Sequence, residues 1–246
     1  MKVIRHARYA DRVMKIEGTL AVAGVGGGMM LWTESSHFGG YAFAAAAFLG
    51  LMGINSGVKA MRNYNRYLRG LEGEDSALAV LQGLPDTYAC ISNFVVPGTR
   101  HGDSDLLVVG PFGVLVIEVK AYAGRYACHG DSWFRVHDNQ TKQPLRTSVS
   151  RQLKRNIKAV QHYLVDCEVA APVHGVVVFK STTQLDIAHA TVPILTHDTV
   201  AKHIEGLAPA RDTVDIARLL ELFSPKAPVS GGFLGIRRPD VEAHDS

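Results

Sequence analysis

The sequence predicts a mixed α/β sheet flanked by helices, preceded by an N-terminal helical hairpin that spans a membrane. Three observations lead there. Short apolar runs bounded by turn residues recur between residues 90 and 179, at strand length. Stretches with apolar residues at helical spacing lie before and after them. The first 58 residues hold two longer apolar runs whose outer flanks are basic. With 246 residues, the chain is long enough for one domain with a sizeable core plus an appendage.

The first apolar run is Gly18 to Trp32 and the second is Phe38 to Ile54, extendable to Val58. A spanning helix needs about 17–20 apolar residues, so interfacial residues such as Trp32 and Tyr41 must complete both. Lys2, Arg5, Arg8, Arg12 and Lys15 precede the first run, and Lys59, Arg62, Arg66 and Arg69 follow the second. The link Thr33-Glu34-Ser35-Ser36-His37 has no Lys or Arg. The positive-inside rule then puts both flanks in the cytoplasm, with spans at about 17–33 and 38–57 seated in the inner membrane. Glycines four apart, Gly24 with Gly28 and Gly53 with Gly57, let two helices approach closely in lipid. The alternatives are a buried helical hairpin in a soluble core and a cleaved signal peptide. The second run and the basic stretch after it argue against the signal peptide.

Net charge is +3, but its placement matters more than its size. Residues 1–70 hold nine Lys/Arg against three Asp/Glu, and residues 71–246 hold seventeen against twenty. The globular part is mildly acidic, so affinity for nucleic acid there must come from a local patch. Cys90, Cys128 and Cys167 lack the spacing of a zinc site or a disulfide framework. They are expected to be free thiols.

Residues 59–83 read as a helix on Leu68, Leu71, Leu78 and Leu81, continuing from the second span. Cys90 to Val96 reads as a strand closed by Pro97-Gly98. Leu106 to Val109 and Val114 to Val119 form a hairpin around Gly110-Pro111-Phe112-Gly113. Arg125 to Cys128 is a further strand, Val149 to Val165 a helix, and Val173 to Phe179 an apolar strand. Two helices are expected at 198–206 and 212–223, and a loosely ordered Pro/Gly-rich tail at 224–246.

The chemistry lies on the hairpin. If its loop is Pro111-Phe112, Asp105 faces Glu118 and Asp103 faces Lys120. Side chains two apart share a face of a strand, so the four groups gather at one end. Facing residues have Cβ atoms about 5 Å apart. Two carboxylates that close repel unless a cation lies between them. Mg²⁺ or Mn²⁺ suits such oxygen donors. A lysine beside them offsets developing negative charge. Phosphodiester hydrolysis needs this set. The plainer alternative is a surface hairpin end in which Lys120 pairs with Asp103. The helix after the hairpin carries Arg151, Lys154, Arg155 and Lys158 on one stripe, either a phosphate-contacting patch for nucleic acid or a solvated face.

The combined pattern resembles the nuclease-related domain (NERD) family. Gly73-Glu74 matches its GE. Gly102 to Lys120, GDSDLLVVGPFGVLVIEVK, matches its core of acidic-x-Asp, apolar strand, Gly-containing turn and EVK. Gly124 and Trp133 match its downstream G and W, and Pro144-Leu145 resembles its NP segment. The resemblance covers about residues 70–180. It implies a restriction-endonuclease-like, PD-(D/E)XK-type fold over 59–223, with residues 1–58 as anchor. Asp105 and Glu118 would ligate the metal with the Val119 carbonyl as a third ligand, Lys120 would be the catalytic lysine, and Glu74 an auxiliary carboxylate. The family commonly carries a Gln a few residues after NP. Here that position falls on Thr147, and Gln152 lies five residues on, on another helix face, so no Gln role carries over.

The expected function is a membrane-anchored, Mg²⁺-dependent nuclease acting on nucleic acid, DNA before RNA. The alternative is a nuclease-fold module that binds nucleic acid or a partner protein at the membrane with cleavage weak or lost.

Overall fold

The computed structural model describes residues 1–5, eight positions between 19 and 33, residues 40–99 and residues 104–225. Strand β1 is Lys2–Arg5, and helix α1 runs 42 residues from Gly40 to Leu81. Strands β2 (Ala89–Phe94), β3 (Ser104–Gly110) and β4 (Gly113–Lys120) follow, then β5 (Arg125–His129), β6 (Ser132–Val136) and β7 (Lys142–Pro144). Helix α2 is Val149–Asp166 and β8 is Val173–Phe179. Strands β9 (Gln184–Ala188) and β10 (Ile194–Thr196) precede helices α3 (His197–Glu205) and α4 (Ile216–Phe223).

Two sheets form. The larger has the order β1-β2-β3-β4-β8-β10 and the smaller β7-β6-β5-β9. In the larger sheet β2-β3-β4 is an antiparallel meander, and β8 adds parallel to β4. Both its faces are covered, which is why its strands are nearly continuous apolar runs. On one face Leu107, Val109, Val114, Val116, Val177 and Phe179 meet Leu153, Val160 and Leu164 of α2 and Phe223 of α4. On the other, Leu106, Val108, Leu115, Ile117 and Val176 meet Ala77, Leu78 and Leu81 of α1 and Val200 and Ile204 of α3. The result is three layers, helix on sheet on helix.

The hairpin pairs as its turn chemistry predicts. Gly110 faces Gly113 and Leu106 faces Ile117. Gly113 takes φ of +105°, and a side chain there would run into the Pro172 backbone. Only glycine meets both demands.

Strands β1, β6, β7, β9 and β10 were not expected from the sequence. They run from three to five residues, at or below the shortest length at which alternation identifies a strand. β1 is the most informative. The sequence places Lys2–Arg5 in a basic flank, whereas here they pair parallel with Ala89–Ser92 and close one edge of the larger sheet. The three cysteines are free, as expected.

α1 joins the second apolar run to the expected helix without a break. Only its last turns pack into the core, and Phe48, Leu51, Met52, Ile54, Val58 and Met61 are exposed. Among the described residues no helix is long and apolar enough to cross a membrane. Gly50, Gly53, Asn55, Ser56 and Gly57 dilute the second run. In the first run Val22, Met29 and Met30 are helical and exposed, and most of the rest lies outside the described residues, as does the tail beyond Pro225.

Candidate active site

Even positions of β4 from Val114 to Lys120 point to the α2 side of the sheet, and so do odd positions of β3 from Asp105 to Val109. Asp105, Glu118 and Lys120 therefore share one face, at the end where β3 and β4 part. The last ladder pair is Leu106 with Ile117. One residue further, the Asp105 side chain takes over, and its Oδ2 accepts from the Val119 backbone N–H at 2.7 Å. Asn93 of β2, beside Asp105, is buried with φ of 57°, a left-handed conformation that Asn tolerates better than most residues.

Glu118 is fully buried and both its oxygens are held. Lys120 Nζ donates to Oε1 at 2.5 Å, and Asn156 Nδ2 donates to Oε2 at 3.1 Å. Lys120 Nζ also reaches Gln152 Oε1 at 3.3 Å. Asp103, which the register sets opposite Lys120 and which the plainer alternative pairs with it, lies outside the described residues. The ion pair of Lys120 is with Glu118.

Gln152 corrects the sequence reading. It lies four residues before Asn156, so the two stand one above the other on α2 and both face the β4 end. The signal was present in part: Asn156 interrupts the apolar stripe Val149, Leu153, Val160, Leu164. A polar residue on a buried stripe wants a buried partner.

Glu74 enters from the opposite layer. A Cβ on Gly73 would come 2.6 Å from the Ala121 Cβ, so only glycine lets α1 settle this close to the end of β4. An ion pair from Glu72 to Lys180 at 2.6 Å lies at the same crossing. Asp105 and Glu118 flank Lys120, and the charge of Glu74 is felt at Asp105. Burial holds the Asp105 carboxyl well above the usual carboxylate range, and the Glu118 and Glu74 charges push it the same way, against Lys120 and the Val119 N–H. Burial alone would lower the Lys120 pKa, but the Glu118 and Asp105 charges outweigh it and hold the ammonium above its ordinary range.

This donor set suits a hard divalent cation. It is all oxygen, buried, and carries more negative charge than its lysine offsets. Among the described residues no three of His, Cys, Asp and Glu stand close enough to hold a metal unaided. A cation here would rest on Asp105, Glu118 and backbone carbonyls such as that of Val119.

A cleft of about 580 Å³ opens beside Lys120, bordered by Arg69, Tyr122, Tyr126 and Arg135. None of the four stands out as a site residue in the sequence, because they come from α1, the β4–β5 link, β5 and β6. On α2, Arg151, Lys154, Arg155 and Lys158 are all exposed, and Leu153 and Val160 are buried, as the stripe predicts. Lys154 is bound to Asp131, with both carboxylate oxygens at 2.9 Å. The smaller sheet is fastened to α2 by Trp133, whose Nε1 donates to Ser150 Oγ at 2.8 Å, and whose ring lies 5.3 Å from that of Phe179.

Comparison with curated proteins and with solved structures gives no match. Residues 69–180 match the family model of the nuclease-related domain, NERD, a placement with which the PD-(D/E)XK superfamily is consistent.

Proposed function

We propose that this protein is a nuclease that hydrolyses phosphodiester bonds of DNA with a divalent cation, Mg²⁺ or Mn²⁺, at Asp105 and Glu118. The observation that carries the reading is the buried face shared by Asp105, Glu118 and Lys120 within the matched domain. The cation, when bound, supplies a Lewis acid and an activated water.

The chain's own residues do the rest. Asp105 and Glu118 would hold the cation from facing strands, together with the Val119 carbonyl. Asn156 fixes the Glu118 carboxylate from the α2 side, and Gln152 helps aim Lys120. Lys120 stays protonated and meets the charge that develops on the attacked phosphate. Glu74 adds negative charge from α1 and orients water or cation. Arg151, Arg155 and Lys158 offer phosphate contacts on α2, with Lys154 engaged by Asp131.

The N-terminal segment is proposed to hold this domain at the cytoplasmic face of a membrane. The exposed apolar residues of α1 and the basic residues on both sides of the two apolar runs support it. Fractionation should leave the protein in a carbonate-resistant membrane pellet. Recovery in the soluble fraction removes the anchor from this reading and leaves the nuclease in place.

A nuclease-fold module that only binds remains the second reading, favoured by the acidic charge of residues 71–246. Incubation of the full-length protein with plasmid and with single-stranded DNA, in Mg²⁺ and in EDTA, separates the two. Cleavage in Mg²⁺ that EDTA abolishes and Glu118→Gln removes is the expected result. Binding without cleavage by the wild type in either condition assigns the module.

A further inference from the structure

The cleft beside Lys120 is more specialised than phosphate hydrolysis alone requires. One wall is aromatic. The Tyr122 and Tyr126 rings lie 4.8 Å apart at 31°, and Tyr122 is half-buried. Among the described residues neither hydroxyl has a hydrogen-bond partner. Two cations flank that wall. Arg135 stands directly across from Tyr126 in the β5–β6 ladder, so the two side chains share a face of the smaller sheet. Arg69 reaches in from α1, its Nε donating to the Asn65 carbonyl at 3.1 Å. Among the described residues neither guanidinium is paired with a carboxylate. A tyrosine pair that served packing alone would not need two guanidinium groups without carboxylate partners at its rim.

We propose that this cleft takes one unpaired nucleotide of single-stranded DNA, its base against Tyr122 and the neighbouring phosphates on Arg69 and Arg135. The inference rests on the nuclease reading and specifies its substrate. Its volume of about 580 Å³ falls in the range that holds a single drug-sized ligand. A cationic groove interleaved with aromatic rings is the arrangement that binds single strands, because every base has a face to stack and the phosphates follow the cations. Bases within a duplex are stacked on their neighbours and reach such a ring only by leaving the helix. The cleft also begins at Lys120, so a nucleotide seated there carries its phosphate to the carboxylate pair.

Fluorescence anisotropy of the full-length protein with a labelled single strand and the matching blunt duplex, in EDTA so that nothing is cut, tests this. The single strand should bind about tenfold more tightly or better. Tyr122→Leu should erase about tenfold of that affinity, and Tyr122→Phe should keep it, since the ring and not the hydroxyl is used. Arg135→Ala, at an exposed position, should reduce the slope of log affinity against log salt by about one unit. Circular dichroism of each variant checks that the fold is kept. Equal affinity for both forms, or Tyr122→Leu and Arg135→Ala variants that bind single strands like the wild type, overturns the inference while Mg²⁺-dependent plasmid cleavage still upholds the nuclease reading. No binding of either form overturns the inference, and the nuclease reading falls with it only if Mg²⁺-dependent plasmid cleavage is absent too.

Discussion

The larger sheet and the smaller one are built to different standards of burial. In β3 and β4 nearly every residue is buried, whereas β7 is exposed throughout and β9 has only exposed or half-buried residues. The larger sheet holds the carboxylates and the lysine. The smaller one offers the exposed Arg135 to the cleft, beside the buried Tyr126. Burial fixes position and strengthens electrostatics, which suits groups meant to hold a cation and meet developing charge. Exposure leaves groups free to meet a ligand that arrives from water. The difference teaches that the proposed chemistry and the proposed substrate contacts are separable, and that substitutions in the two sheets should fail in different ways.

The largest separation is expected at Lys120. Lys120→Ala should slow single-turnover cleavage by about 10²-fold or more, the usual consequence of losing one preorganised charge-stabilising group, while DNA affinity changes little. A binding module would show a modest affinity loss and a flatter salt dependence instead.

Stability should divide the same way. Leu153 is fully buried beneath the larger sheet, and Leu153→Ala should cost about 2–5 kcal/mol in denaturant unfolding. Lys142→Ala, on the exposed β7, should stay within about 0.5 kcal/mol of the wild type. Similar losses at both positions would erase the distinction between the sheets.

Asp105 should behave against intuition. Its folded pKa lies above its unfolded one, so its contribution to stability is present in acid and is lost as pH rises through the folded pKa. Metal-free protein should therefore be less stable at neutral pH than the Asp105→Asn variant. A rise in Tm of roughly 2–4 °C for that variant corresponds to about 1 kcal/mol in a chain of this size. Mg²⁺ should raise the Tm of the wild type and leave the variant unmoved.

Two glycines of α1 sharpen the picture at the smallest scale. Gly70 has open space around it, so Gly70→Ala should stabilise by about 1 kcal/mol through helix propensity alone. Gly73 abuts Ala121, so Gly73→Ala should lose that gain to the clash and lower cleavage by shifting Glu74. Equal effects at both positions would deny α1 its docking role, as read by thermal unfolding together with cleavage rate.

What could be read from the sequence follows from the range of the interactions. The hairpin was legible because its turn residues and flanking runs set the register locally, and that register alone puts Asp105 opposite Glu118. Lys120 followed from the two-residue period of a strand. Gln152 and Asn156 were missed because their role depends on how α2 is rotated over the sheet, which packing of Leu153 and Val160 decides. Lys154 counted as a phosphate contact until its partner Asp131, 23 residues away, was in view. β1 was missed because four residues must find a partner strand beginning at Ala89. The cleft gathers residues from four separate segments and left no pattern at any single spacing.

The central claim is that Asp105 and Glu118 hold a divalent cation as a pair. Titration calorimetry with Mg²⁺ and with Mn²⁺ on the wild type, Asp105→Asn and Glu118→Gln tests it most directly. Binding to the wild type that disappears in both variants is the predicted result. Unchanged binding in either variant would contradict the account and move the site elsewhere in the molecule.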